Sequence, residues 1–229
     1  MATSGTVTFA PDLTEIVEEA FERAGAEMRS GYDLRTARRS LNLLFADWAN
    51  RGVNMWTIEQ GTIAIVAGTA TYALPADTVD LLDHVVRTGA GNAATQADIS
   101  LSRISMPTYS SIPNKLSTGR PLQIYVQRLN TPQVTLWPVP DASTTYTLVY
   151  WRLRRIQDAG NGVNTMDMPF RFLPAMIAGL AYYLALKVPD GMTRLEVLKA
   201  QYDEAWTLAS DEDREKAPVR FVPRQMFIG

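Results

Sequence analysis

The feature that most constrains this chain is an interruption. Two stretches with helical spacing come first, a glycine- and proline-punctuated β-type segment follows, and two more helical stretches precede a short polar tail. A helix with one apolar stripe must bury it against another element. Halves far apart in sequence are therefore expected to close a single four-helix bundle body, with the β segment projecting from it. The predicted class is α+β: a four-helix bundle split by an inserted antiparallel β-sandwich or barrel-like domain, with an extended C-terminal arm. The expected boundaries are 1–53 for the first helical pair, 54–166 for the β domain, 167–213 for the second helical pair and 214–229 for the arm.

Local signals support this division. Asp12 stands three residues before Glu15, an Asp-based capping box, and Leu13, Ile16, Val17, Ala20, Phe21 and Ala24 recur at helical spacing up to Gly25. Asp33 is expected to cap a second helix with Leu34, Ala37, Leu41, Leu44, Phe45 and Trp48 on one face and Arg35, Arg38 and Arg39 on the other, ending at Gly52. Strand-like runs follow at 55–59, 62–66, 71–74, 82–88, 122–129, 133–137 and 145–153. The strip Ala90 to Leu116 reads as a long loop with one short strand at 97–101 and a single helical turn. Asp167 and Pro169 are expected to open a third helix, apolar nearly all round and so the central one, and a fourth runs from about Thr193 to Asp211. The tail has no period, yet its tip carries Phe221, Val222, Met226, Phe227 and Ile228, side chains that call for burial against another surface.

Composition narrows the function classes. An apolar fraction of 46% with 20% charge is that of a soluble globular protein. The net charge is −2 and no segment is basic, so tight non-specific grip on duplex DNA gains no support. With no cysteine there is no disulfide, thiolate nucleophile or cysteine-bound metal. The opening MATSGTVTFAPD lacks the basic and apolar regions of a secretory signal, so folding in the cytoplasm is expected. The uncharged run from Phe172 to Leu186 is too short, at about 15 residues, to span a bilayer, which takes about 20.

Little in the chain resembles chemistry. The single histidine, His84, sits in a strand-like run with Asp83 pointing to the other face, and is expected to be a satisfied structural residue. Asp77, Asp80 and Asp83 lack the loop spacing of a calcium site and are expected to be solvated carboxylates at a turn. Gly89 and Gly91 form half of a dinucleotide fingerprint without its third glycine or helix, which favours a hairpin or loop. In YWRLRR, Arg152 and Arg154 share one strand face, read as solvated or intersubunit rather than nucleic-acid binding. Arg35, Arg38 and Arg39 form a solvated helix face with an intersubunit role as the alternative. No catalytic residue, metal ligand or cofactor site can be nominated. A second reading is a carbohydrate-binding or cell-wall-hydrolysing component holding glycan among Trp137, Tyr150 and Trp151, although no pair of placed carboxylates accompanies them.

The segments TEIVEEAFERAG, LLFADWANRGVNMWTIEQ, TATYALPADTVDLLDHVVR, RPLQIYVQ, TLWPVPD, YTLVYWRLRRI and MPFRFLPAMIAGLAYYLALK, in that order, resemble the head-to-tail adaptor proteins of short-tailed bacteriophages, the tail tubular protein A or tail accessory factor family. The resemblance implies a virion structural protein without enzymatic activity or cofactor, made in the host cytoplasm and placed at the head-tail junction. It implies a homo-oligomeric ring, usually of twelve subunits, beneath the portal protein, with tail nozzle or tail fibre proteins on the far side. Double-stranded DNA would pass through without sequence-specific binding. It further implies that the arm carrying Phe221, Val222, Met226, Phe227 and Ile228 docks on the portal, and no membrane is involved.

Overall fold

The computed structural model describes residues 3–7, 9–52, 55–214 and 216. Four helices, α1 (Leu13–Ala24), α2 (Gly31–Asn50), α4 (Leu173–Ala185) and α5 (Leu195–Glu212), share one apolar core; a short α3 (Met106–Ser111) lies elsewhere. Helix α4 contacts each of the other three, as its nearly uniform apolar surface leads one to expect. Gly179 permits this closeness: a Cβ there would lie 2.9 Å from both Leu44 and Tyr202, side chains of α2 and α5.

The two halves of the chain meet at Trp48. Its indole N–H donates to the Tyr202 hydroxyl over 2.9 Å, and its ring packs on Trp206 and Phe172 at centroid separations of 4.8 and 5.8 Å. Burial pushes the Tyr202 phenol up to about 12. Replacing such a buried aromatic by alanine typically costs about 3–5 kcal/mol.

Helix ends follow local chemistry with one displacement. The Asp12–Glu15 capping box and the left-handed Gly25 are present as expected. Helix α2, however, is capped by Ser30. Asp33 occupies the third helical position, where its carboxylate accepts the Ser30 N–H while its own N–H donates to the Ser30 hydroxyl. Likewise Asp167 does not cap the third helix. A 3-10 turn, Phe170–Phe172, precedes α4, whose first turn holds Pro174.

The β segment forms two four-stranded sheets. In the first, β1 (Ile58–Ala64), β10 (Tyr146–Arg154), β3 (Thr78–Thr88) and β4 (Ala97–Ser100) are neighbours in that order and all antiparallel. In the second the order is β2 (Thr71–Ala73), β8 (Gln133–Trp137), β7 (Gln123–Gln127) and β5 (Ser102–Ile104), with β5 parallel to β7. Two short strands, β6 (Thr118–Gly119) and β9 (Val139–Pro140), pair in parallel. Leu81, Val86, Leu148 and Tyr150 from the first sheet and Ile124, Val134 and Leu136 from the second bury one common core, and this core shares no residue with the helical one. The expected loop over Ala90–Leu116 is more ordered than its texture implies. Gly89 and Gly91 turn the β3–β4 hairpin, and α3 lays Tyr109 flat on Tyr125 of β7 at 5.1 Å. Strand β5 in this strip takes its partner β7 about twenty residues further on, so no local pattern announces it.

After β10 the chain returns to the helical body sooner than residue 166. Ile156 and Ala159 belong to the helical core, the Ala159 N–H donates to the Asn42 side-chain oxygen, and the Gly162 carbonyl accepts from Thr14. Asn and Gly in this stretch suit a strap fastened by side-chain to backbone bonds.

One backbone contact in the β core has a sharp requirement. Gly61 faces Tyr150 across the β1–β10 ladder, and a Cβ on it would sit 2.4 Å from the buried phenol ring. Gly61→Ala is expected to destabilise the protein by about 1–3 kcal/mol through overpacking. Thermal unfolding followed by circular dichroism checks this, with Gly68→Ala, where the added carbon meets nothing but adopts a strained positive φ, as a reference.

Candidate assembly surfaces

The basic cluster of β10 is built into the neck between sheets and helices. Arg152 lies on the central strand directly opposite Glu59 of β1, and its guanidinium meets Glu59 at 2.6 Å, Asp77 at 2.6 and 3.2 Å and the Thr78 hydroxyl at 3.0 Å. It continues the inward face of Tyr146, Leu148 and Tyr150 beyond the apolar core and is 8% exposed. Arg154 grips Asp167 with two bonds of 2.6 and 2.9 Å, and Asp167 also accepts the Gln157 N–H. The Trp56 indole donates to the Asp167 carbonyl, and the Asp213 carboxylate joins the Met55 N–H to Arg171. Arg152 and Arg154 are thus occupied within the chain, which differs from the solvated or intersubunit face expected from alternation. Two bulges in the β3–β10 ladder, beside Arg152 and Arg154, re-aim these side chains in a way that strict period-2 reading misses.

Charge follows geometry. The Arg152 guanidinium holds Asp77 below its ordinary carboxylate value. Burial pushes Asp167 up, but the bonds from Arg154 and Gln157 outweigh it and leave it lowered. Asp80 takes Arg103 at 2.8 Å, while the Asp83 carboxylate accepts the N–H of His84. Two of the three aspartates expected to be solvated are therefore ion-paired. Among the described residues no group of three or more His, Cys, Asp or Glu is placed to hold a metal.

His84 departs most from expectation. It is 6% exposed, and neither ring nitrogen has a hydrogen-bond partner. It lies opposite Tyr150 in the β3–β10 ladder, and the satisfied histidine foreseen from the sequence is instead a buried ring with both nitrogens unbonded. Burial depresses its pKa, Arg103 adds to that, and Asp83 and the Leu101 backbone oppose it.

The remaining nominated residues are scattered. Arg38 donates to the Gly160 carbonyl and Asn161 side chain, fastening the 156–166 strap to α2, whereas Arg35 and Arg39 are exposed on the same helix. Phe221, Val222, Met226, Phe227 and Ile228 lie outside the described residues. The glycan platform is not assembled: Tyr150 is in the β core, Trp151 points to the opposite face of the same strand, and the Trp137 indole donates to the Asn114 carbonyl. A surface that sequence reading missed is a groove of about 480 Å³ between α1 and α4, lined by Phe9, Ile16, Phe170, Leu173, Pro174 and Ile177, with Phe9 and Phe170 largely exposed. Contiguous apolar surface of this kind is what partners cover.

These placements set the acid response. Folding favours neutral His84, so the unfolded chain binds that proton more readily, and stability is whole above 6.5 and declines as pH falls below it. Asp77 and Asp167, lowered from 3.8, add a second loss only below about pH 4. Urea unfolding between pH 7 and 5 is expected to show the first decline, and His84→Leu to abolish it while keeping the second. Arg154→Ala, which strands a largely buried carboxylate, is expected to cost about 2–3 kcal/mol at pH 7 in the same assay.

No helix among the described residues is long and apolar enough to cross a membrane. No curated protein matches the chain. The family model of the SU10 adaptor protein matches residues 11–222, which takes in both helical pairs, the sheets and the neck. With that match covering nearly the whole of its length, the chain belongs to the SU10 adaptor protein family, a family of bacteriophage head-to-tail adaptors and hence of virion structural proteins.

Proposed function

We propose that this adaptor forms a ring, of twelve copies by resemblance to its short-tailed phage counterparts, that joins the portal protein to tail nozzle or fibre proteins at the head-tail junction and encloses the passage for DNA. The observation that carries the reading is the Trp48 cluster. It locks the two distant halves of the chain into one frame, from which the sheets project through two neighbouring crossings. A frame of this kind suits repeated side-by-side packing, and the module at 54–166 would then present a separate face to the tail. The near-neutral net charge of −2 suits a wall past which DNA slides without being gripped. Phe221, Val222, Met226, Phe227 and Ile228 form the portal-docking arm in this reading, since apolar side chains gathered at the tip of an aperiodic tail call for another surface to bury them. The protein works by binding alone, with no catalytic step.

The test is light scattering after size-exclusion chromatography, on the protein alone and mixed with its portal. A stable complex with portal is expected, and a protein that ignores portal overturns the proposal. Truncation after Asp213 is expected to leave the circular dichroism spectrum and melting midpoint nearly unchanged while weakening portal binding by more than about tenfold.

A further inference from the structure

Helix α2 carries an exposed stripe that none of the described residues covers. Tyr32, Arg35, Arg39 and Leu43 follow one another at spacings of three, four and four residues, and so lie along one line of the helix surface. Tyr32 and Leu43 are 67% and 57% exposed, and the two arginines between them are exposed and meet no carboxylate among the described residues. Lys187, bonded to Ser40 at 2.6 Å in the turn after α4, has its pKa lowered by burial first and by the Arg39 charge second, so a third cation stands beside the stripe. Like charges four residues apart destabilise a helix unless something outside it offsets them.

Helix α1 carries the counterpart. Glu18 and Glu22, also four residues apart, are exposed and meet no partner among the described residues, in contrast with Glu15, which closes the capping box, and Glu19, which holds Arg23 at 2.7 Å. Two carboxylates and two guanidinium groups with the same separation along a helix can meet pair for pair, and Arg binds carboxylate with two parallel bonds. The two stripes occupy different helices, so copies that pair α2 of one with α1 of the next, each leaving its other stripe for a further copy, make a head-to-tail contact, the kind that generates rings, whereas a reciprocal two-fold pairing would stop at a dimer.

We infer that the α2 stripe, Tyr32–Arg35–Arg39–Leu43, docks on the Glu18–Glu22 face of α1 in a second copy of this chain. The inference rests on the ring reading and names the surface on which the ring closes. Tyr32 and Leu43 supply the apolar ends of the contact, and the two charge pairs set its register.

Charge reversal tests it. Arg35→Glu/Arg39→Glu and Glu18→Arg/Glu22→Arg are each expected to weaken self-association by more than about tenfold in analytical ultracentrifugation at low salt, with and without portal. An equimolar mixture of the two double variants, and the quadruple variant, are expected to recover it, because each then pairs opposite charges again. Double variants that associate like the native chain, or a folded mixture that does not recover, overturn the inference and leave the adaptor reading intact. A native chain that binds portal but never self-associates also overturns it, whereas one that ignores portal overturns the adaptor reading itself. Since the chain has no cysteine, a gentler measurement covers the case of misfolded variants. Mixed Glu22→Cys and Arg39→Cys copies are expected to form a disulfide dimer faster than Glu22→Cys with Leu208→Cys, and equal rates count against the proposed contact.

Discussion

Everything in this architecture depends on the contact of Trp48 with Tyr202, Trp206 and Phe172. A ring system at the end of α2 reaches residues more than 120 positions away, and its one polar atom finds a hydroxyl in a place water does not reach. Without that closure α1 and α2 would have only each other, and two short helices cannot bury their apolar faces alone. With it, α4 becomes the axis of a single core and Gly179 lets its neighbours approach closely. The β segment is then an excursion between two halves of one body, and its own core can be complete without borrowing from the helices.

Much of this was legible in the residues because the deciding chemistry is local. Asp12, Glu15 and Gly25 state the ends of α1 within a turn or two, and the alternation of Tyr146, Leu148 and Tyr150 states which face of β10 is inward. Where a distant partner decides, the reading drifts. Ser30 and Asp33 bond each other reciprocally, so the cap could be assigned to either, and Asp167 has the look of a cap while Arg154 and Gln157 occupy its carboxylate. Strand β5 is parallel to β7 and has only three residues, too few for a periodic signal. The strap that follows β10 reads as part of the β segment because nothing in its Gly/Asn texture points to α1 and α2.

The surfaces were harder to read than the core. The sequence marks Arg35, Arg38, Arg39, Arg152 and Arg154 as similar, but the structure divides them into three fates: a buried neck, a strap fastener and a free stripe. Periodicity reports which way a side chain faces and says nothing of the acceptor it meets. The same limit hid His84, whose strand position was clear and whose unbonded ring nitrogens depend on the tertiary packing that buries them.

The position of Arg152 has a mechanical consequence. The β module joins the body at Ile58 and Leu153, paired residues at the same end of the β1–β10 ladder, so a pull that separates module from body would load that ladder one bond at a time, as in peeling. Peeling is the weak direction of an antiparallel pair. The guanidinium of Arg152 sits one residue inside that end and ties β1 through Glu59 to the residue before β3 through Asp77, so once the Ile58–Leu153 rung gives way the next is braced by charge on both sides.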